Sequence, residues 1–396
     1  MRATYLKTGI AAGFALLVST HASVALDADE FAKKFVAAYT SGGMTVAYEG
    51  VSEQGNDIIM QGLTFGVEGE QTSFDFGDLT FSGVSEDGSG GYLVDTVSKD
   101  RILFSAPEVS FTLDDMSITN LRVPAEAKME TLDDALYYDS LTTGPMKLTA
   151  EGQDVFSIAS ISMDLSKASD NSRMDFTGRA DGLEIDLSSV EDAQTRQTLS
   201  GMGYQFVGGD VVLEGYWLPT TGEMTLSQYA LSLDGVGRLD MQVSISGYTF
   251  EFVRGIQELQ EKMDDQGNDS QAQQAMGLAM LGMLQQLTFN SLSIRFDDAS
   301  VTNKVLEMVA SRQGMTRDQM VQGLQAMVPF ALAQLQNPDF QKNVTEAVSL
   351  YLSDPKNIEI SAMPAEPLSF ASVVGTAMSA WQTLPQMLNV SVTANQ

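Results

Sequence analysis

The side chains able to do chemistry here are few in kind. The chain has one histidine, His21, and no cysteine among its 396 residues. His21 lies inside a segment that reads as a secretory signal. The working protein is therefore expected to carry neither of the side chains that perform most acid–base, nucleophilic and metal-binding chemistry near neutral pH. Zinc, copper, haem and iron–sulfur sites of the usual kinds depend on those ligands, so no cofactor is expected. Oxygen ligands remain. Asp264-Asp265-Gln266-Gly267-Asn268-Asp269 places several around a glycine, but without the alternating spacing and closing Glu of a calcium-binding EF-hand loop. It reads as a solvated turn between helices, and so does the acidic, glycine-rich turn at 86–91.

Catalysis by serine would need an activator other than histidine. No G-x-S-x-G elbow and no S-x-x-K with K-T-G is present. Ser166 and Lys167 are adjacent, and neighbours on a strand point to opposite faces. Paired carboxylates support glycosidase or aspartic-protease chemistry. Asp95-Thr96-Val97 and Asp139-Ser140-Leu141 approach the D-[TS]-G signature without completing it. With 52 acidic residues, carboxylates will meet in space by chance, so their presence singles out no pair. Phosphate-loop and dinucleotide glycine fingerprints are absent. The expectation is a protein that is not an enzyme. The alternative is a carboxylate-dependent hydrolase acting on envelope glycans.

The amino-terminal segment sets the compartment. Arg2 and Lys7 precede an apolar run over 9–18, and Ser23-Val24-Ala25 offers small residues where a signal peptidase cuts. Residues 1–25 are thus expected to be a signal peptide, with a periplasmic or secreted product. A retained anchor would need roughly 20 apolar residues, so no stable membrane anchor is expected after cleavage. A formal net charge of −30 repels phosphate backbones at long range, which argues against nucleic-acid partners. An exported chain without cysteine has no disulfide framework, so its core must hold it together.

Periodicity supplies the elements. Asp29 followed by Phe31, Phe35 and Tyr39 predicts an amphipathic helix ending at Gly42-Gly43. From Met44 to Phe252 the dominant period is two, as in Leu239, Met241, Val243 and Ile245, or Val109, Phe111 and Leu113. Leu63-Thr64-Phe65 and Leu79-Thr80-Phe81 repeat one pattern, and the phase changes at Gly77 predict a bulge that bends the sheet. Helical inserts are expected near 132–141 and 190–199.

From residue 253 the period is helical. Phe252, Ile256, Leu259 and Met263 face Met276, Met280, Met283 and Leu287 across a polar link, which predicts a helical hairpin. Three further helices are expected. The first is capped near Asp298 with Val301, Val305 and Met308 inward; the second starts with the capping box at Thr316–Gln319; the third opens at Asn337-Pro338. Strands over 292–296, 358–362 and 390–393 are expected to return to the main sheet. A final helix should carry Phe370, Val374, Ala377, Trp381 and Leu384. The fold class is α+β: a long, curved antiparallel meander over 26–252, with amphipathic helices and a helix-rich region over 253–396.

Methionine usage offers the one candidate site. The segment 275–284 is apolar nearly all round, and flexible thioethers suit apolar surfaces that accept varied partners. Met276, Met280, Met283, Leu284 and Leu287 are the expected surface for an apolar ligand or partner.

A resemblance points the same way. Trp217, Gly222-Glu223-Met224-Thr225-Leu226, Gly237-Arg238-Leu239-Asp240-Met241 and Ile294-Arg295-Phe296-Asp297-Asp298 look like a pattern in bacterial envelope proteins and are loosely similar to the AsmA-like periplasmic family. That resemblance implies a curved antiparallel sheet with an apolar groove and a part in envelope lipid transport. It supplies no catalytic residues. The expected function is non-enzymatic binding of apolar partners, lipid acyl chains or envelope proteins, through the sheet and the Met-rich helices.

Overall fold

The computed structural model describes residues 26–40, 44–67, 73–106, 108–266, 270–335 and 337–396, with the backbone alone for 260–266 and 270–276. The signal segment, the Gly42-Gly43 stop, and the side chains of Met263, Met276 and the 264–270 link lie outside the described residues.

Helix α1 (Ala28–Thr40) buries Phe31, Ala32, Phe35 and Ala38, the stripe that its spacing predicts. Its cap is Asp27 rather than Asp29: the Asp27 carboxylate accepts from the Glu30 N–H at 2.9 Å. Asp29 and Glu30 fall in the first turn, where negative charge suits the helix dipole.

The strands form one antiparallel ribbon. Both β1 (Met44–Ala47) and β2 (Gly50–Gln54) pair with β3 (Asp57–Val67), which pairs with β4 (Ser73–Ser82). Next come β5 (Ser85–Glu86), β6 (Tyr92–Ser105) and β7 (Val109–Val123). Two short strands, β8 (Ser140–Thr143) and β9 (Met146–Ala150), share the position beside β7, separated by Gly144-Pro145. The next position is shared likewise by β10 (Gln153–Ile158) and β11 (Ser160–Lys167). The meander continues through β12 (Met174–Asp186), β13 (Phe206–Leu218), β14 (Glu223–Leu233) and β15 (Gly237–Ser246), with α2 (Ala193–Gly201) between β12 and β13. Register shifts interrupt several of these ladders, and each bulge bends and twists its strand. Gly77, at φ 62°, marks one of them where the phase change predicts it.

After β15 the chain leaves the sheet for α3 (Phe250–Gln266) and α4 (Ser270–Gln286) and returns as β16 (Thr288–Asp298) against β15. Helices α5 (Val301–Arg312), α6 (Arg317–Leu332) and α7 (Pro338–Ser353) precede β17 (Asn357–Ala362). Then follow β18 (Leu368–Ser369), α8 (Phe370–Ala380), α9 (Leu384–Met387) and β19 (Val390–Ala394). The late strands join the same sheet: β17 and β18 pair with β16, and β19 with β17. Thr316 and Gln319 form the expected capping box, and Asn337 caps α7 through the Phe340 N–H at 3.1 Å.

Three local expectations need correction. Residues 132–141 hold only a single 3-10 turn, Leu132–Asp134, before β8, because Leu132 is drawn into a cluster with Trp217 and Phe250. Helix α5 buries Leu306 and Ala310 against α6 and leaves Val305 38 % exposed, so its inward face is turned from the expected one. The final helix is broken into α8, a 3-10 turn and α9, with Pro385 at the start of α9.

The densest core lies under α1. Phe31 meets Phe81 and Tyr92 edge-on at 5.0 and 5.4 Å, and Phe35 meets Phe81 at 5.0 Å. Lys34 holds α1 to the 85–91 turn by donating to the Gly90 carbonyl at 2.5 Å.

Candidate functional site

Register decides which side chains share a face, because residues directly opposite in an antiparallel pair point the same way. Following the pairs from β3 gives Ile58, Phe81, Val97, Ile118, Leu141 and Met163, each opposite the next. The line continues through Gly178, Leu213, Tyr229, Met241, Ile294, Ile360 and Val392. From β3 to β19 it meets no charged residue; one strand further out, on β2, the partner of Ile58 is Glu53. At about 4.8 Å per strand, this is an apolar lane on the order of 60 Å long, perpendicular to the strands. A shorter parallel row runs Phe104, Phe111, Leu148, Phe156, Ile185 and Val207.

The opposite face is polar. Arg179, Asp240, Arg295 and Glu359 lie there, and Arg295 reaches Glu359 at 3.6 Å. One local device recurs: arginine, an apolar residue, then aspartate. Arg173–Asp175, Arg179–Asp181, Arg238–Asp240 and Arg295–Asp297 each form an ion pair at 2.6–2.9 Å. Residues two apart share a strand face, so each pair leaves the intervening Met174, Ala180, Leu239 or Phe296 on the lane side.

Cover varies along the lane. Under α1, Ile58, Phe81 and Val97 are at most 1 % exposed. At the far end Ala347 and Tyr351 of α7 pack on Val392, Ala394 and Ile358. Between these helices the lane is open: Ile294 is 36 % and Ile360 49 % exposed. One wall is built by the β7–β8 connection, whose Leu132 packs with Trp217 and Phe250. The Trp217 indole N–H donates to the Tyr248 carbonyl at 2.7 Å, and Lys167 and Asn171 both bind the Asp133 carboxylate.

The covered end contains a cavity of about 620 Å³ between α1 and strands β3 to β8, within the range of small-molecule sites. Phe81, Val97, Ile118 and Leu141, four successive members of the lane, help to line it, together with Phe35, Phe65, Phe104 and Phe111. Its polar lining residues are Asp75, Tyr39 and Tyr138. The Asp75 carboxylate accepts from the Gly77 N–H at 2.8 Å. Tyr138 donates to the sulfur of Met163, the next lane residue, at 3.3 Å. No described group hydrogen-bonds the Tyr39 hydroxyl, whose ring packs on Phe35 and Phe65. Burial pushes both phenols above their ordinary range, and at Tyr39 the neighbouring Tyr138 adds to the cost of ionising.

The Met-rich surface lies elsewhere. Met280 is exposed on α4, and Leu284 and Leu287 are half-buried. Met283 approaches Gly255 of α3 so closely that a Cβ there would come within 2.9 Å of its Cε. Leu287 accepts from the Phe370 N–H at 3.0 Å, joining the end of α4 to α8. None of these residues lines the cavity. Sequence reasoning missed the cavity residues. The signal that could have located the lane is the repeated Arg-x-Asp, which orients three strands, β12, β15 and β16.

Among the described residues no three His, Cys, Asp or Glu side chains gather as a metal set. In the 86–91 turn the Asp87 carboxylate accepts from the Ser89 N–H and hydroxyl and the Gly91 N–H, serving the turn itself. Several carboxylates are held below their usual range by bound donors: Asp114 by Arg101, Asp133 by Lys167, and Asp175 by Arg173. A general acid at neutral pH needs the opposite shift. Among the described residues no helix is long and apolar enough to cross a membrane.

A family model described only as "Uncharacterized protein" matches residues 230–395. That segment spans the open part of the lane and the helices beside it, and excludes the cavity under α1. No curated protein matches the chain.

Proposed function

We propose that this chain binds elongated apolar ligands, lipid acyl chains above all, along the lane, with the cavity under α1 as the most sheltered subsite. It acts without catalysis, outside the cytoplasm, as the signal-like segment 1–25 suggests. The observation that carries this reading is the uncharged line from Ile58 to Val392, whose first third opens onto a 620 Å³ apolar cavity. Removing apolar ligand surface from water there contributes about 25 cal/mol per Å². The partly exposed Ile294 and Ile360 supply a way onto the lane from solvent. The likeness to AsmA-like proteins agrees with this reading, and no specific observation favours the glycan-hydrolase alternative.

The test is native mass spectrometry of the purified protein with lipid extraction, alongside titration with a neutral naphthylamine probe that brightens in apolar surroundings. Co-purifying lipid and saturable probe emission are expected. Protein that repeatedly comes up empty and leaves the probe dark would refute the proposal.

A further inference from the structure

The cavity's polar groups say more about what it takes than its size does. Tyr39 and Tyr138 line one apolar space, and neither hydroxyl is well used within the protein. Tyr138 donates only to the Met163 sulfur, a weak acceptor, and Tyr39 has no described partner. Every sealed side-chain oxygen or nitrogen among the described residues has a partner. The Tyr39 hydroxyl is therefore not sealed off, and the Tyr39 side chain lines the cavity. Two phenols in the lining of one apolar cavity favour a ligand that brings an acceptor.

The same lining excludes an anion. No lysine, arginine or histidine lines the cavity, and its one charged residue is the acidic Asp75. Lys99 of β6 spends its ammonium on the Asp78 carbonyl at 2.6 Å. A carboxylate drawn into this space would lose its hydration without gaining a cation. An ester carbonyl carries no charge and accepts two hydrogen bonds.

Building on the acyl-binding reading, we propose that the cavity selects neutral acyl esters over free fatty-acid anions, with Tyr39 and Tyr138 donating to the ester carbonyl. The alkyl chain then lies along Phe81, Val97, Ile118 and Leu141.

Displacement of the neutral naphthylamine probe by methyl laurate, laurate and dodecane, measured at pH 8, tests this. Methyl laurate should compete best, on the order of 10-fold better than dodecane, the gain expected of two modest hydrogen bonds. Laurate should compete no better than dodecane. The Tyr39→Phe/Tyr138→Phe double variant keeps both rings, so its melting temperature should stay near that of the parent while the ester's advantage over dodecane disappears. Laurate competing as well as the ester, or a double variant that keeps the preference, would overturn the inference and leave apolar binding standing. If neither probe nor any competitor binds the parent protein, the acyl-binding reading falls and takes this inference with it.

Discussion

Asn343 of α7 and Val392 of β19 exchange two hydrogen bonds. The Asn343 side-chain amide donates to the Val392 carbonyl at 3.0 Å, and its oxygen accepts from the Val392 N–H at 2.9 Å. The side chain thereby stands in for the neighbour that β19, at the edge of the sheet, does not have. Unpaired edge groups invite pairing with other chains. The same helix covers the end of the apolar lane, so one residue contributes to edge protection and to lane closure.

Asn343→Leu should therefore destabilise the protein by about 1–3 kcal/mol, the cost of leaving paired backbone groups unsatisfied. Thermal melts should shift down, and light scattering should show faster aggregation on warming. An unchanged melt and scattering curve would show that the edge is protected by other means.

The open part of the lane should separate binding from stability. Ile294 and Ile360 stand opposite each other and are both partly exposed. Threonine keeps β-branching and strand preference while making the lane polar. The Ile294→Thr/Ile360→Thr variant should melt within about 1 kcal/mol of the parent yet lose several-fold in probe affinity. Full affinity in a folded variant would mean that ligands do not use this stretch.

Trp217 should matter through both its ring and its N–H. It meets Phe250 edge-on at 4.8 Å and donates to the Tyr248 carbonyl. Trp217→Phe should cost about 1 kcal/mol, mainly the hydrogen bond, and Trp217→Ala about 3–5 kcal/mol through the cavity it leaves. Denaturant unfolding of the two variants measures the difference; equal losses would assign the whole effect to the indole N–H and none to the ring's packing.

Acid should loosen the β7–β8 connection. The hydrogen bond from Lys167, reinforced by Asn171, holds the Asp133 carboxyl below its ordinary value. A carboxyl depressed on folding stabilises the folded state above its unfolded pKa of about 3.9 and loses that contribution as pH falls through the lower folded value. Melting temperature should therefore fall below about pH 4 in the parent, and Asp133→Asn should flatten part of that limb. Superimposable acid limbs would assign the loss to other carboxylates.

Much of the architecture is legible in the residue pattern. Leu239, Met241, Val243 and Ile245 alternate with polar residues and do form one face of β15, and Phe31 and Phe35 do point into the core from α1. Gly77 marks a true bulge, and Thr316 and Asn337 cap helices as their types require. Where local pattern failed, a distant partner had overridden it. Leu132 follows Trp217 rather than a helix period, and α5 turns Leu306 toward α6 rather than Val305 inward. The Met-rich segment drew notice because it is locally unusual; the cavity passed unnoticed because its residues are ordinary strand residues.

The amino-acid order by itself determined the alphabet of available chemistry, the alternation that gives each strand a greasy and a polar side, and the start points of most helices. All of these depend on neighbours within a few positions. Only the folded arrangement decided that Phe81, Met163, Leu213 and Ile360, scattered over hundreds of residues, fall into one line, and that α1 roofs one end of it over a void. Those outcomes depend on pairing register and bulge placement, where a slip of one residue would turn a whole strand over.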